Sequence, residues 1–257
     1  MKYYVTADVH GYFSELKEAL EEKGFFTEKS PHKLIICGDL YDRGKEALVL
    51  QDFVLDLLSK DQVILIRGNH EDLALDLLHS WHLGGYNQYH HHTNGTIDTV
   101  CQLTGNTSET IYMDSEKFER DIKDNPYIKS IIPAMVDYYE TEHYIFTHGW
   151  IPCTPIGISP YTKEYVPIDN WRNADSEAWD EARWLNGMEA ANAGVLVEGK
   201  TIVCGHWHCS FGHANYENDG GEFDNNPNFS PYYGKGIIAL DACTIFSHKV
   251  NCIVIED

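Results

Sequence analysis

The chain has 257 residues, enough for one large α/β domain or two small ones, with a core that folds without disulfides or metal. It carries 19 Lys and Arg residues against 40 Asp and Glu residues, which gives a formal net charge of −21. A surface this acidic repels nucleic-acid phosphates and anionic lipids. Nucleic acid is therefore disfavoured as a partner, and no membrane partner is expected. If the substrate is an anion, positive charge must therefore be supplied locally.

The first residues contain one Lys and a short apolar run and then become polar, unlike a secretory signal. No apolar run approaches the length of a membrane-spanning helix. The seven cysteines include no CxxC pair, and several of them lie in or beside apolar runs. We therefore expect small buried thiols and a cytoplasmic protein.

The N-terminal third alternates short apolar runs with amphipathic stretches. The apolar runs predict strands at 3–7, 33–37 and 62–66, and the amphipathic stretches predict helices at 14–23, about 45–59 and 71–79. Gly24 is a plausible end for the first helix. This order favours a mostly parallel sheet covered by helices.

Beyond residue 84 the pattern is interrupted by polar segments. Residues 84–125 predict a mixed loop and helix insertion over the site, and 211–233 predict a long loop. Strands are predicted at 143–146, 201–204, 236–240 and 250–255, and a helix at 176–193. We expect one domain spanning residues 1–257, with surface insertions near 84–125 and 211–233.

Five polar clusters directly follow five of the apolar runs, at 8–11, 38–44, 67–71, 147–149 and 205–208. Ligands of open α/β sheets bind at the carboxyl ends of the strands, so these clusters should meet in one crevice. They are rich in Asp, His and Asn and lack cysteine, which suits borderline divalent ions such as Mn, Fe or Zn. Two such ions about 4 Å apart clamp a phosphoryl group and generate hydroxide near neutral pH. They would also reverse the local charge of an acidic protein.

Three of the clusters read ADVHG at 7–11, GDLYDRG at 38–44 and GNHE at 68–71. In these motifs the chain resembles the calcineurin-like metallophosphoesterases. Arg43 after Asp42 resembles the phosphoprotein (serine/threonine) phosphatase branch with its bacterial and phage members. The resemblance runs from Met1 to about Leu240, outside the two insertions. It implies a four-layer α-β-β-α sandwich in which helices flank two mixed sheets.

The resemblance also implies a dinuclear metal centre. Asp39 would bridge the two ions; the first ion would be held by Asp8, His10 and Asp39, and the second by Asp39, Asn69, His148 and His206. The last motif reads Gly-His-Trp-His, whereas the phosphatase branch usually has one His followed by Thr. A second His at this spacing completes the first ion's shell in the wider superfamily, so His208 is expected to be a ligand. Ala7 also departs from the Gly that this branch usually has.

The resemblance assigns catalytic roles to three further residues. A hydroxide bridging the two metals would attack phosphorus, and His70 would protonate the leaving oxygen. Asp42 would orient His70 and favour its protonated form, and Arg43 would bind the phosphate oxygens as a fork. Arg183, in a Trp-rich stretch similar to one in the family, is a second candidate for substrate binding.

Other residues near the motifs are given structural interpretations. Arg67 is expected to form a salt bridge, and Glu71 to cap a helix or orient a neighbour. The histidines at 90–92 are expected to lie in a solvated loop, without a metal.

These observations predict a metal-dependent phosphatase acting on phosphomonoesters, plausibly on Ser or Thr of a phosphoprotein, although a small phosphoester is also compatible. One alternative is a nucleotide or diadenosine-polyphosphate hydrolase, although that class usually lacks a counterpart of Asp42. An alternative of another class is a catalytically inactive metal-binding scaffold, which would not need His70, Asp42 and Arg43.

Overall fold

The computed structural model describes residues 1–159 and 162–257. Its strands are β1 (Lys2–Thr6), β2 (His32–Cys37), β3 (Val63–Ile66), β4 (Tyr139–Glu140), β5 (Tyr144–Phe146), β6 (Cys153–Ser159), β7 (Thr162–Pro167), β8 (Thr201–Cys204), β9 (Tyr232–Gly234), β10 (Ile237–Ala239) and β11 (Cys252–Glu256). Its α-helices are α1 (Phe13–Lys23), α2 (Ala47–Ser59), α3 (Asn69–Ser80), α4 (Tyr89–Thr93), α5 (Thr96–Thr104), α6 (Ser108–Met113), α7 (Ser115–Asp124), α8 (Ser176–Ala182), α9 (Gly187–Asn192), α10 (Cys209–Gly212) and α11 (Thr244–Ser247).

The strands form two mixed sheets and a separate β6–β7 hairpin. The first sheet has the order β11-β1-β2-β3, in which β1, β2 and β3 are parallel and β11 is antiparallel to β1. The second has the order β4-β5-β8-β10-β9, with a parallel centre and antiparallel strands at both edges. Both sheets therefore present several strand carboxyl ends on which loops can build a site.

The alternation of side chains along the strands produces four layers. Apolar residues on the inner faces of both sheets form one buried cluster, which includes Val5 and Ile35 from the first sheet and Phe146 and Val203 from the second. On the outer face of the first sheet, alternate residues such as Leu34 pack with apolar residues of α1 and α2. On the outer face of the second sheet, residues of β8 and β10 pack with α8 and α9. The predicted four-layer sandwich is confirmed.

The helix predicted at 176–193 is wrong as one element. The structure contains α8 and α9, separated by a turn at residues 183–186. Asn186 causes the break, because its side-chain oxygen accepts hydrogen bonds from the backbone N–H groups of Met188 and Glu189. Such an N-cap favours the start of a new helix over continuation of the old one.

The first insertion is more helical than its composition indicates, and it has its own small core. Apolar residues of α5, α6 and α7 pack with Leu77 and Trp81 at the end of α3. The expected solvated loop at 90–92 is also wrong in part: these histidines lie in α4, and His91 is fully buried. The insertion is thus a packed helical layer beside α3.

All seven cysteines are free thiols, and five of them are buried. Among the helices of the described residues, none combines the length and apolar character needed to cross a membrane.

Candidate active site

The loops that follow β1 and β2 are held together by backbone hydrogen bonds. The N–H of His10 donates to the carbonyl of Asp39 over 2.9 Å, and the N–H of Asp8 to that of Gly38 over 3.2 Å. Several non-glycine residues of these loops, and one of the loop after β8, have left-handed backbones, a strained conformation that persists only where surrounding contacts enforce it. They are Asp8 (φ 52°), His10 (φ 50°), Asp39 (φ 53°), Asp42 (φ 73°), Arg43 (φ 69°) and His206 (φ 66°). This backbone turns the motif side chains toward one crevice.

Asp39 lies at the centre of this crevice. Its Oδ2 atom is 3.7 Å from Nε2 of His10 and 3.8 Å from Nε2 of His70, and its Oδ1 atom is 3.3 Å from Nε2 of His148. The Oδ1 atom of Asn69 contacts Nε2 of His148 at 2.8 Å and Nδ1 of His206 at 2.9 Å. Two strand ends of the second sheet thus supply histidines to a carboxylate of the first.

Two groups of possible metal-ligating atoms share Asp39. One contains His10, Asp39 and His70, the other Asp39, His148 and His206, and within each group the atoms lie within 4.8 Å of one another. Asp8 is 1% exposed and adjoins them, since its carboxylate accepts a hydrogen bond from the N–H of His206 at 3.0 Å. Imidazole nitrogens with carboxylate and amide oxygens, and no thiolate, suit borderline divalent ions.

The electrostatics of the crevice call for a cation. Burial raises the pKa of the Asp8 carboxyl well above its usual range, and the nearby carboxylates of Asp241 and Asp39 raise it further. Burial and the neighbouring His148 lower the pKa of His206 to about 3, so its imidazole is neutral at physiological pH. A divalent cation stabilises clustered buried carboxylates in their ionised form, and it binds neutral imidazoles such as that of His206.

Asp241 is a buried acid that the sequence interpretation missed. It is 7% exposed, and burial raises the pKa of its carboxyl. Its Oδ1 atom accepts a hydrogen bond from the N–H of Cys243 at 2.7 Å. A signal was present, because Asp241 directly follows the strand predicted at 236–240, in the same position that the other polar clusters occupy.

His70 and Asp42 form a buried hydrogen-bonded pair. Nδ1 of His70 lies 2.7 Å from Oδ2 of Asp42. Burial lowers the pKa of His70, but the carboxylates of Asp39 and Asp42 outweigh it, so that the pKa is raised. Nη2 of Arg43 lies 3.4 Å from Nε2 of His70. The ring therefore has one nitrogen fixed by Asp42 and the other beside Arg43 and Asp39.

The first insertion supports this pair directly. The hydroxyl of Thr96 donates to Oδ2 of Asp42 at 3.0 Å, and the N–H of Asp42 donates to the hydroxyl of Thr99 at 3.0 Å. Gln102 bonds the carbonyl of Gly44 at 3.0 Å. The insertion thus lies against the loop at 38–44, to which α5 is hydrogen-bonded.

Glu71 holds the loops after β2 and β3 together. Its carboxylate accepts hydrogen bonds from the N–H groups of Gly68 at 2.8 Å, Leu40 at 3.0 Å and Asp39 at 3.1 Å. Burial, followed by the nearby Asp39 carboxylate, raises the pKa of Glu71 to about 7. These contacts match the orienting role predicted for it.

Two motif glycines leave room for the site. At Gly38, where φ is +82°, a Cβ would lie 2.3 Å from Nδ1 of His148, and at Gly205 it would lie 2.0 Å from Oδ2 of Asp8. Neither distance is possible between real atoms, so a side chain at either position would displace a candidate ligand.

The guanidinium of Arg183 is engaged by three carboxylates. Its Nε donates to Asp72 at 2.6 Å and its Nη1 to Asp137 at 2.8 Å, while Nη2 pairs with Asp180. The side chain is 3% exposed. Arg67 pairs with the same Asp72, as the predicted salt bridge required. The structure therefore brings Arg43, and not Arg183, together with His70.

His208 is directed to the second insertion. Its Nε2 lies 2.8 Å from Oε1 of Glu222, and its ring contacts Phe223 with centroids 4.4 Å apart. It belongs to neither group of ligand atoms found around Asp39 in the described residues. Ligation by His208 therefore stays a prediction. The contact with Glu222 engages only Nε2, and a ligating histidine commonly bonds a carboxylate through its other ring nitrogen.

Comparison with known proteins gives two kinds of relative. Serine/threonine-protein phosphatase 1 of Salmonella typhimurium is 40% identical over 73 residues, covering 28% of this chain and 31% of that protein. An asymmetrical bis(5'-nucleosyl)-tetraphosphatase of Anoxybacillus flavithermus is 30% identical over 103 residues, covering 38% of this chain and 40% of that protein. The chain thus matches less than half the length of either relative.

A solved structure shares the fold. The cold-active protein-tyrosine phosphatase of a psychrophilic Shewanella species matches 100% of this chain and 75% of its own, with a TM-score of 0.52 and 16% identity. The family model described as calcineurin-like phosphoesterase matches residues 1–210, which contain all the candidate ligands around Asp39. By this match, with the three motifs and the four-layer sandwich, the chain belongs to the calcineurin-like phosphoesterase family.

Proposed function

We propose that this protein is a dinuclear metal-dependent phosphatase that hydrolyses phosphomonoesters, with phosphorylated Ser or Thr of a protein as the favoured substrate class. The observation that carries the proposal is the buried pair of His70 and Asp42, joined over 2.7 Å beside Arg43. A metal-binding scaffold has no use for a positioned proton donor with its own orienting carboxylate. A phosphatase needs one, because the leaving alkoxide of a serine or threonine ester has to be protonated.

The donor set fits two divalent ions of the Mn, Fe or Zn type. Asp8, His10 and Asp39 would hold the first ion, and His208 is proposed as a further ligand to it. The second would be held by Asp39, Asn69, His148 and His206. When bound, such ions polarise the phosphoryl group and supply a hydroxide nucleophile at neutral pH.

The protein's own residues position the ester and move the proton. The guanidinium of Arg43 can form two parallel hydrogen bonds to the phosphoryl oxygens, which fixes their orientation. Its Nη2 atom lies 3.4 Å from Nε2 of His70, so a phosphate held by Arg43 has its leaving oxygen within reach of that nitrogen. Asp42 holds the proton on Nδ1 and thereby favours the imidazolium that donates from Nε2.

A second candidate is hydrolysis of a dinucleoside polyphosphate. It is favoured by Trp184, which is 52% exposed and whose ring centroid lies 5.8 Å from that of His206. An exposed aromatic ring beside a candidate ligand is a surface on which a nucleobase can stack. The bis(5'-nucleosyl)-tetraphosphatase relative points the same way.

A substrate comparison separates these possibilities. The purified chain with Mn²⁺ is assayed on phosphoserine peptides, p-nitrophenyl phosphate and diadenosine tetraphosphate, alongside His70→Asn. His79→Asn is the matched control, because His79 is exposed on the same helix. We expect phosphopeptide hydrolysis that falls about a hundredfold or more in His70→Asn, the usual effect of a positioned acid, and is unchanged in the control. Preference for the dinucleotide selects the second candidate, and no hydrolysis of any substrate selects the scaffold.

A further inference from the structure

A separate set of metal-ligating side chains lies between α3 and α4. Asp76 on α3 and His90 and His91 on α4 bring three donor atoms within 4.8 Å of one another. Oδ2 of Asp76 is 3.3 Å from Nε2 of His91 and 3.5 Å from Nε2 of His90. The two imidazole rings have centroids 4.0 Å apart. Two imidazole nitrogens therefore converge on a single carboxylate oxygen.

The His91 side chain has an ion-pair contact with Asp76 but no hydrogen bond to any described residue. The residue is 0% exposed, and neither of its ring nitrogens makes a hydrogen bond. Buried polar atoms are normally satisfied by hydrogen bonds or by coordination, so this ring requires an additional partner. Burial, followed by the charge of His90, lowers the pKa of His91, so the ring is neutral at physiological pH and offers a lone pair.

We propose that Asp76, His90 and His91 bind a third divalent cation of the zinc type. A His₂-carboxylate set is a common ligand set for zinc, with water completing the tetrahedron. The site is open to water on one side, since the side chains of His90 and Asp76 are 43% and 51% exposed. It shares no residue with the centre around Asp39 and does not depend on the proposed activity.

The ion would connect the first insertion to the helix that begins at the active site. Asp76 is six residues beyond His70 on α3, a rise of about 9 Å along the helix. From α4 the chain passes through Gly95 to Thr96, whose hydroxyl bonds Asp42. A Cβ on Gly95 would lie 2.6 Å from the backbone nitrogen of Arg43, so the connection between α4 and α5 is tightly packed against the loop at 38–44. The ion thus has a structural role, which is to hold α4 and the start of α5 in place.

Zinc stoichiometry tests the proposal. The full chain is stripped of metal and dialysed against Zn²⁺, and bound zinc is counted for wild type, Asp76→Asn and His90→Ala. Both substituted side chains are partly exposed and lie on different helices, so two independent variants report on the site without emptying the core. His92→Ala is the control, because His92 is exposed on α4 but lies outside the donor group.

We expect Asp76→Asn and His90→Ala each to bind one zinc ion fewer than wild type, and His92→Ala to bind the same number. The measured quantity is the difference in bound zinc between wild type and variant, so zinc ions bound at the centre around Asp39 contribute equally to both and do not affect it. Zinc should also raise the melting temperature of wild type more than that of either variant. Equal zinc content and equal thermal shifts in wild type and variants would overturn the proposal, as would the loss of an ion in His92→Ala.

Discussion

The hydrogen bond from His70 to Asp42 is predicted to contribute more to the rate of hydrolysis when the leaving group needs protonation than when it leaves as a stable anion. Asp42→Asn keeps the size of the side chain and one oxygen acceptor, but it removes the negative charge. Two groups donate to Oδ2 of Asp42, Nδ1 of His70 at 2.7 Å and the hydroxyl of Thr96 at 3.0 Å. The variant therefore keeps the position of the side chain beside His70, but it stabilises the protonated imidazole less than the carboxylate does.

The expected magnitude follows from the kind of bond that is lost. A hydrogen bond to a charged partner is worth about 1.5–3 kcal/mol, against about 1 kcal/mol for a neutral pair. The difference of about 0.5–2 kcal/mol corresponds to roughly two- to thirtyfold in rate, because 1.36 kcal/mol is tenfold. This loss should be smaller than the hundredfold or greater loss in His70→Asn, since the imidazole itself is still present.

The assay measures kcat/KM with Mn²⁺ on p-nitrophenyl phosphate and on a phosphoserine peptide. The nitrophenolate leaves without protonation, so its hydrolysis should be nearly unaffected, whereas the peptide should show the full loss. Asp98→Asn is the control, because Asp98 is an exposed carboxylate on the helix that carries Thr96 and Thr99. Equal losses on both substrates would refute the acid role and point to general damage to the loop at 38–44.

The remaining predictions concern the metals. Chelation should abolish hydrolysis of a generic aryl phosphate and added Mn²⁺ should restore it, because the proposed nucleophile is a hydroxide that the ions supply. Full activity in verified metal-free protein would contradict the dinuclear centre. Asp39→Asn should lose bound metal and nearly all activity, since both donor groups share this carboxylate; two tightly held ions with normal turnover would show that another residue bridges. His208→Ala should lower the affinity of the first ion by about ten- to a hundredfold. Titration of Mn²⁺ into the variant while activity is recorded measures this affinity. Unchanged metal affinity with a raised KM would instead assign His208, now bonded to Glu222, to substrate.

Much of the site could be predicted from the sequence because each functional cluster is short and directly follows a strand. An apolar run forms a strand through local propensity and burial, and the polar residue after it must lie at the end of the sheet. This is why Asp39, Asn69 and His148 converge although the chain separates them widely. Asp241 obeys the same rule, and it was missed only because no motif marks it.

The contacts of side chains that belong to no strand end could not be predicted in this way. Substrate binding by Arg183 stays a prediction, but its partners Asp72 and Asp137 come from segments distant in the chain, which only the fold brings beside it. His91 lies in a segment predicted to be a solvated polar loop, but in the structure it is buried on α4 with Asp76 of α3 beside it.

The sequence by itself determined the first three strands with the helices that follow them, and the five polar clusters at strand ends, and its three motifs carry the resemblance that implied the four-layer class. These follow from local periodicity and from short motifs, in which neighbouring residues act together. Only the tertiary structure decided that α5 supports Asp42 through Thr96, that Glu222 holds His208, and that the helix predicted at 176–193 breaks at Asn186. Those outcomes depend on contacts between parts of the chain that composition and spacing do not relate, because each side chain's partners are set by how whole elements pack.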